Sequence, residues 1–133
     1  MKRILLLLLL CSTTLLMAQQ TDPIQEAMAS YDYETALSLI AQKKPATPLL
    51  LQKGKALRSL GLNAEALSTY QEIIGKDSTN TRALIEAAEC CRTLAKYKQA
   101  SAYYEKVLDL TPENKYVRIQ YINLLLAPVS YTH

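Results

Sequence analysis

The chain matches itself when shifted by 34 positions. Leu50 falls on Leu84, Arg58 on Arg92, Leu60 on Leu94, Ala66 on Ala100, Tyr70 on Tyr104 and Asn80 on Asn114. Close equivalents fill the gaps: Gly54 with Ala88, Ile73 with Val107, Ile74 with Leu108. A period of this length constrains architecture more than any local propensity does. Each unit is too small to bury its own apolar face and must stack on its neighbours.

Within each unit the apolar spacing is helical. Leu50, Leu57 and Leu60 form one stripe, and Ala66, Tyr70, Ile73 and Ile74 form the next. Leu84, Ala88, Cys91 and Leu94, then Ala100, Tyr104, Val107 and Leu108, repeat them. No stretch alternates at period two for long enough to make a strand, so an all-α fold is expected. Asp22-Pro23, Thr47-Pro48 and Thr111-Pro112 each set a capping side chain before a proline at a helix start. Gly61 and Gly75 are expected to end helices, and Pro128 to stop the last one. The spacing predicts about seven helices in antiparallel pairs, near 23–31, 34–43, 48–60, 63–75, 80–94, 97–109 and 113–126. The first pair is compressed, since Ala36 precedes Ala66 by 30 residues rather than 34. The predicted units are a degenerate 23–46, full copies at 47–80 and 81–114, and a partial 115–127.

The first residues read differently. Lys2 and Arg3 precede an apolar run from Ile4 to Leu10 and again from Leu15 to Ala18, followed by Gln19-Gln20. That pattern describes a secretory signal peptide over residues 1–18, cut near Ala18, with 19–133 as the mature helical domain. The run is shorter than the ~20 apolar residues that span a bilayer, which argues against a retained anchor. A lipidated Cys11 is disfavoured because Leu10 stands where a small residue belongs. The expected destination is the periplasm or the outer membrane of a bacterium.

Export without Lys2 and Arg3 leaves 13 basic residues against 12 acidic ones, from 15 and 12 in the full chain. A nearly neutral domain lacks the clustered basic excess that phosphate backbones require, so nucleic acid is not an expected partner. Cys90 and Cys91 are sequence neighbours about 100° apart on a helix and are read as small core residues, not a disulfide or redox pair.

Two copies, Thr47–Asn80 and Thr81–Asn114, resemble the tetratricopeptide repeat family. The resemblance rests on Gly54 and Ala88 in the first helix, Ala66 and Ala100 in the second, and Tyr70 and Tyr104 after them. Pro112 stands at the family's terminal proline, while Ser78 replaces it one unit earlier, and Leu50 and Leu84 replace an early aromatic. The resemblance implies an α-α superhelix that binds a protein or peptide along its concave face, lined by the first helix of each unit. The small residues also have a direct physical reading: they let paired helices approach closely, with Tyr70 and Tyr104 filling the space between layers.

Carried onto this chain, the concave face holds an apolar ladder of Leu51, Ile85 and Ile119. Beside it lie Lys55, Glu89 and Asn123, the pair Arg58 and Arg92, and Arg82 at an edge with Tyr116. An apolar strip flanked by arginines suits a peptide with carboxylates. An ordinary solvated face, with Glu86 and Glu89 in water and Lys55 weakly paired to Glu89, is the competing reading. Relatives that grip a terminal carboxylate use other residues at the places of Leu51 and Lys55, so that activity does not transfer.

The residues contain no phosphate loop, nucleophile elbow or zinc-ligand spacing, and the one histidine is His133. No enzyme, metal or cofactor is therefore expected. The last helix is unusual, because Ile122 takes the place of Gly54 and Ala88 and the surface is largely apolar. Tyr121, Ile122, Leu124, Leu125 and Leu126 are read as a second contact surface, for self-association or for further repeats in a longer protein.

Overall fold

The structure, a computed structural model, describes residues 2–8 and 21–127. The expected cleavage near Ala18, Cys11, Pro128 and His133 lie outside the described residues. Residues 2–8 are helical and exposed. From residue 21 onward come seven helices: α1 (Pro23–Ala29), α2 (Tyr33–Ala41), α3 (Thr47–Ser59), α4 (Asn63–Lys76), α5 (Thr81–Thr93), α6 (Tyr97–Leu110) and α7 (Lys115–Leu126). No strand occurs among the described residues, and none of their helices is long and apolar enough to cross a membrane.

Every helix packs on the next in chain order, which is the contact pattern of a stacked array and not of a closed bundle. A continuous core runs from Leu50 to Leu124. Tyr70, Ile73, Leu84, Tyr104, Val107 and Val117 are wholly buried in it. Ala66, Ala83, Ala87, Ala88 and Ala100 are also wholly buried and bring the helix axes close together. Gly54 marks the tightest approach. A Cβ there would stand 2.5–2.9 Å from the ring and hydroxyl of Tyr70, so only glycine fits.

Caps explain the boundaries. Asp22 and Asp32 accept backbone N–H bonds at the starts of α1 and α2. Asn80 and Asn114, one repeat apart, do the same for α5 and α7, accepting from Ala83 and Val117. Two expected caps are corrected. Thr47 lies inside α3, whose Ala46 cap has no side-chain bond, and Thr111 closes α6 by donating its hydroxyl proton to the Val107 carbonyl. Asparagine displaces threonine as the cap of α7 because its carbonyl oxygen reaches the free N–H of the first turn.

The tight turn inside each pair places one residue in the left-handed region: Tyr31 at φ 63°, Gly61 at φ 77° and Ala95 at φ 58°. Only Gly61 is the residue type this conformation favours. Gly75 stands one residue before the end of α4 at Lys76 and does not itself form the cap, which is Asp77. It lies within α4, where a Cβ would meet nothing within 4 Å. Leu60 leaves the stripe assigned to it and is 38% exposed, whereas its counterpart Leu94 is half-buried against the core.

Candidate partner-binding face

The first helices of successive pairs, α1, α3 and α5, bring Leu51, Lys55, Arg58 and Arg82 together. A recess of about 480 Å³ is lined by Leu51, Lys55 and Arg82 together with Gln25 and Met28 of α1. A second, about 620 Å³, shares Lys55 and Arg82 and adds Arg58, Glu86 and Asn63. The shared pair joins the two recesses into one groove. Arg92 and Asn123 belong instead to a smaller recess of about 290 Å³ beside α7. Ile85 is half-buried against the core, and Ile119 is exposed; neither lines these recesses.

Charges on this face divide into neutralised and free ones. Arg58 of α3 is ion-paired and hydrogen-bonded with Glu86 of α5, tying two units together. Burial opposes the charge on Arg58, but the adjacent Glu86 carboxylate more than offsets it and raises the guanidinium pKa. Arg92 donates to Glu89 at 2.8 Å. Lys55 and Arg82, by contrast, are exposed and form no ion pair among the described residues.

Glu89 corrects the expected solvated face. It is only 6% exposed, and it accepts hydrogen bonds from Tyr104 at 2.6 Å and Tyr116 at 3.2 Å as well as from Arg92. Burial alone would raise its pKa, but the donors from Tyr104 and Arg92 outweigh it and hold the carboxyl below the usual range. Glu89 therefore works inside the fold and does not pair with Lys55. Glu86 is half-buried in its pair with Arg58.

Leu124, assigned to the terminal contact surface, is also corrected: it is 3% exposed and belongs to the core. Tyr121 is half-buried and donates to Glu105 at 2.6 Å. Ile122, Leu125 and Leu126 remain exposed, at 46%, 51% and 73%.

Gln25, Met28 and Glu86 are groove residues that sequence reasoning missed. A signal for the first two exists in the chain. The 30-residue offset that aligns Ala36 with Ala66 also sets Gln25 on Lys55 and Met28 on Arg58. Nothing local marks Glu86, because its partner is 28 residues away.

Cys90 and Cys91 are free and buried, and burial pushes the Cys90 thiol up to about 11. Such thiols are poor nucleophiles at neutral pH. Among the described residues, no group of three His, Cys, Asp or Glu side chains is placed to hold a metal ion.

Residues 81–114 match the family model for the tetratricopeptide repeat. No curated protein matches the chain's sequence. Among solved structures, the first repeat domain of Spaghetti (RPAP3) bound to the HSP90 peptide SRMEEVD is similar at TM-score 0.70 and 21% identity, covering 77% of this chain and 84% of that one. The repeat domain of Arabidopsis OM64 is similar at TM-score 0.70 and 18% identity, covering 77% and 88%. PcrH in complex with the chaperone-binding region of PopB is similar at TM-score 0.62 and 18% identity, covering 76% and 85%; PcrH is from Pseudomonas aeruginosa. With one copy matching that repeat and its helix pairs stacked in that fold, the chain is built as a tetratricopeptide-repeat solenoid.

Proposed function

We propose that this protein is a non-enzymatic scaffold that holds an extended, acidic segment of a partner protein in the groove between α1, α3 and α5. One observation carries the reading. Lys55 and Arg82 are exposed and unneutralised at the junction of two recesses, with the apolar Leu51 and Met28 beside them. Free cations next to apolar surface suit carboxylates alternating with apolar side chains. The similar structures support binding as the general role, since one holds an HSP90 peptide and another a region of PopB. Repeat domains of this kind are generally interaction modules and not catalysts.

The site of action in this reading is the bacterial cell envelope, on the strength of Lys2-Arg3, the apolar run and Ala18. Sequencing the N-terminus of the protein recovered from its cells tests it: a start at Gln19 is expected, and an intact Met1 overturns it. For binding, the tagged protein is used to recover partners from its own cell envelope. Lys55→Glu with Arg82→Glu is expected to lose a partner that the parent protein captures, with helicity unchanged. Arg58 and Arg92 are unsuitable targets, because each is paired with a carboxylate of the fold, Glu86 and Glu89. Equal recovery by both proteins overturns the groove as the site.

A second reading is assembly through α7, favoured by exposed Ile122, Leu125 and Leu126. Sedimentation of the parent protein against Ile122→Glu with Leu126→Glu tests it. A concentration-dependent mass that the variant lacks is expected, and a monomer in both cases overturns it.

A further inference from the structure

Helix α2 ends after 9 residues, whereas its counterparts α4 and α6 each run for 14. The 30-residue offset sets Ile40 on Tyr70, Lys43 on Ile73 and Lys44 on Ile74. In the full units these places carry Ile73 and Val107, both wholly buried. In the first pair the chain has already left the helix, and Lys43 is exposed. The end of a second helix that covers the core elsewhere is thus missing here by sequence. An apolar cleft of about 450 Å³ results, lined by Leu37 and Ile40 of α2 and by Leu49, Leu50 and Leu57 of α3, with Lys43 and Lys53. It shares no residue with the groove that holds Lys55 and Arg82.

We infer that this cleft is a separate docking site for a helical segment of a partner protein whose isoleucine or leucine face is bordered by carboxylates. Shape supplies the first argument: the cleft lies where the fold's own helix ends present Ile73 and Val107. Charge supplies the second. Lys43 and Lys53 form no ion pair among the described residues, and Lys44 beside them is exposed. Residues 1–20 and 128–133 contain no Asp or Glu, and neither does α7, the apolar helix a second copy presents. An acidic amphipathic helix from another protein satisfies both the apolar floor and the lysines.

The test uses two fluorescent helical peptides with the same isoleucine and leucine face, one bordered by glutamate and the other by lysine. The glutamate peptide is expected to bind about tenfold more tightly, the size of two modest ion pairs. Methyl resonances of Leu37, Ile40 and Leu57 are expected to shift on titration. Lys43→Glu with Lys53→Glu is expected to reverse the preference, whereas Lys55→Glu with Arg82→Glu leaves it unchanged. That second variant separates this site from the groove. Equal binding of the two peptides, binding of neither, or shifts confined to Leu51 and Met28 overturns the inference.

Discussion

Tyr104 donates its hydroxyl proton to Glu89 at 2.6 Å in the core, whereas its counterpart one repeat earlier, Tyr70, is equally buried with a hydroxyl that has no partner. The difference traces to a single ladder position. Lys55 stands in the first full unit where Glu89 stands in the second, and its exposed side chain supplies no carboxylate to receive the tyrosine proton. Tyr104→Phe is therefore expected to destabilise by about 1–3 kcal/mol, since it strips a buried carboxylate of one donor. Tyr70→Phe is expected to be neutral or stabilising, because it removes an unsatisfied polar atom. Urea melts of the two variants check the contrast. Tyr104→Ala removes the packing as well and is expected to cost about 3–5 kcal/mol.

Glu89 gives the fold an acid-sensitive element. Its folded pKa lies below the ordinary glutamate value, so the folded state favours the ionised form. The resulting stabilisation is complete above the unfolded pKa of about 4.3 and is lost as pH falls through the folded value. Glu89→Gln is expected to be less stable than the parent at pH 7, with the gap narrowing as the solution is acidified through that range. Denaturant midpoints of both proteins across that range give the comparison; a constant gap contradicts it.

Two helix glycines are expected to respond in opposite directions. Gly54→Ala drives a methyl group into the Tyr70 ring and is expected to cost about 1–3 kcal/mol through overpacking. Gly75→Ala meets open space within α4 and is expected to gain about 0.5–1 kcal/mol from reduced backbone freedom. Thermal melts distinguish the two signs directly.

The left-handed turns supply a third contrast. Gly61→Ala places a Cβ at φ 77° and is expected to cost about 1 kcal/mol. Ala95→Gly relieves the same strain at φ 58° and is expected to gain up to about 1 kcal/mol, less the extra entropy of an unfolded glycine. A loss of stability in Ala95→Gly contradicts the strain argument.

Much of the fold is legible in the chain because repetition amplifies weak signals. One helix with Ala66, Tyr70 and Ile73 on a face is ambiguous, but the same face at Ala100, Tyr104 and Val107 establishes a stacked helical array. Signals that depend on a single position are less dependable. Thr47-Pro48 does open α3, but Ala46 and not Thr47 occupies its cap position, and Thr111-Pro112 precedes a helix that starts only at Lys115 with Asn114 as its cap. The repeat itself held the better clue, since Asn80 and Asn114 match each other.

Sequence by itself determined the helices, their pairing and the burial of the paired tyrosines, because apolar period and residue size act locally and recur. Tertiary structure alone decided which charges are free. Arg58 finds Glu86 across 28 residues, Arg92 and two tyrosines enclose Glu89, and Lys55 and Arg82 are left exposed. The Arg92–Glu89 pair lies three residues apart on one helix, but the Arg58–Glu86 pair and the tyrosine bonds to Glu89 depend on distances of a few ångströms between helices, which no spacing along one helix encodes. The same holds for the cleft beside α2: the chain shows that the first pair is short, but only packing shows what that shortening uncovers.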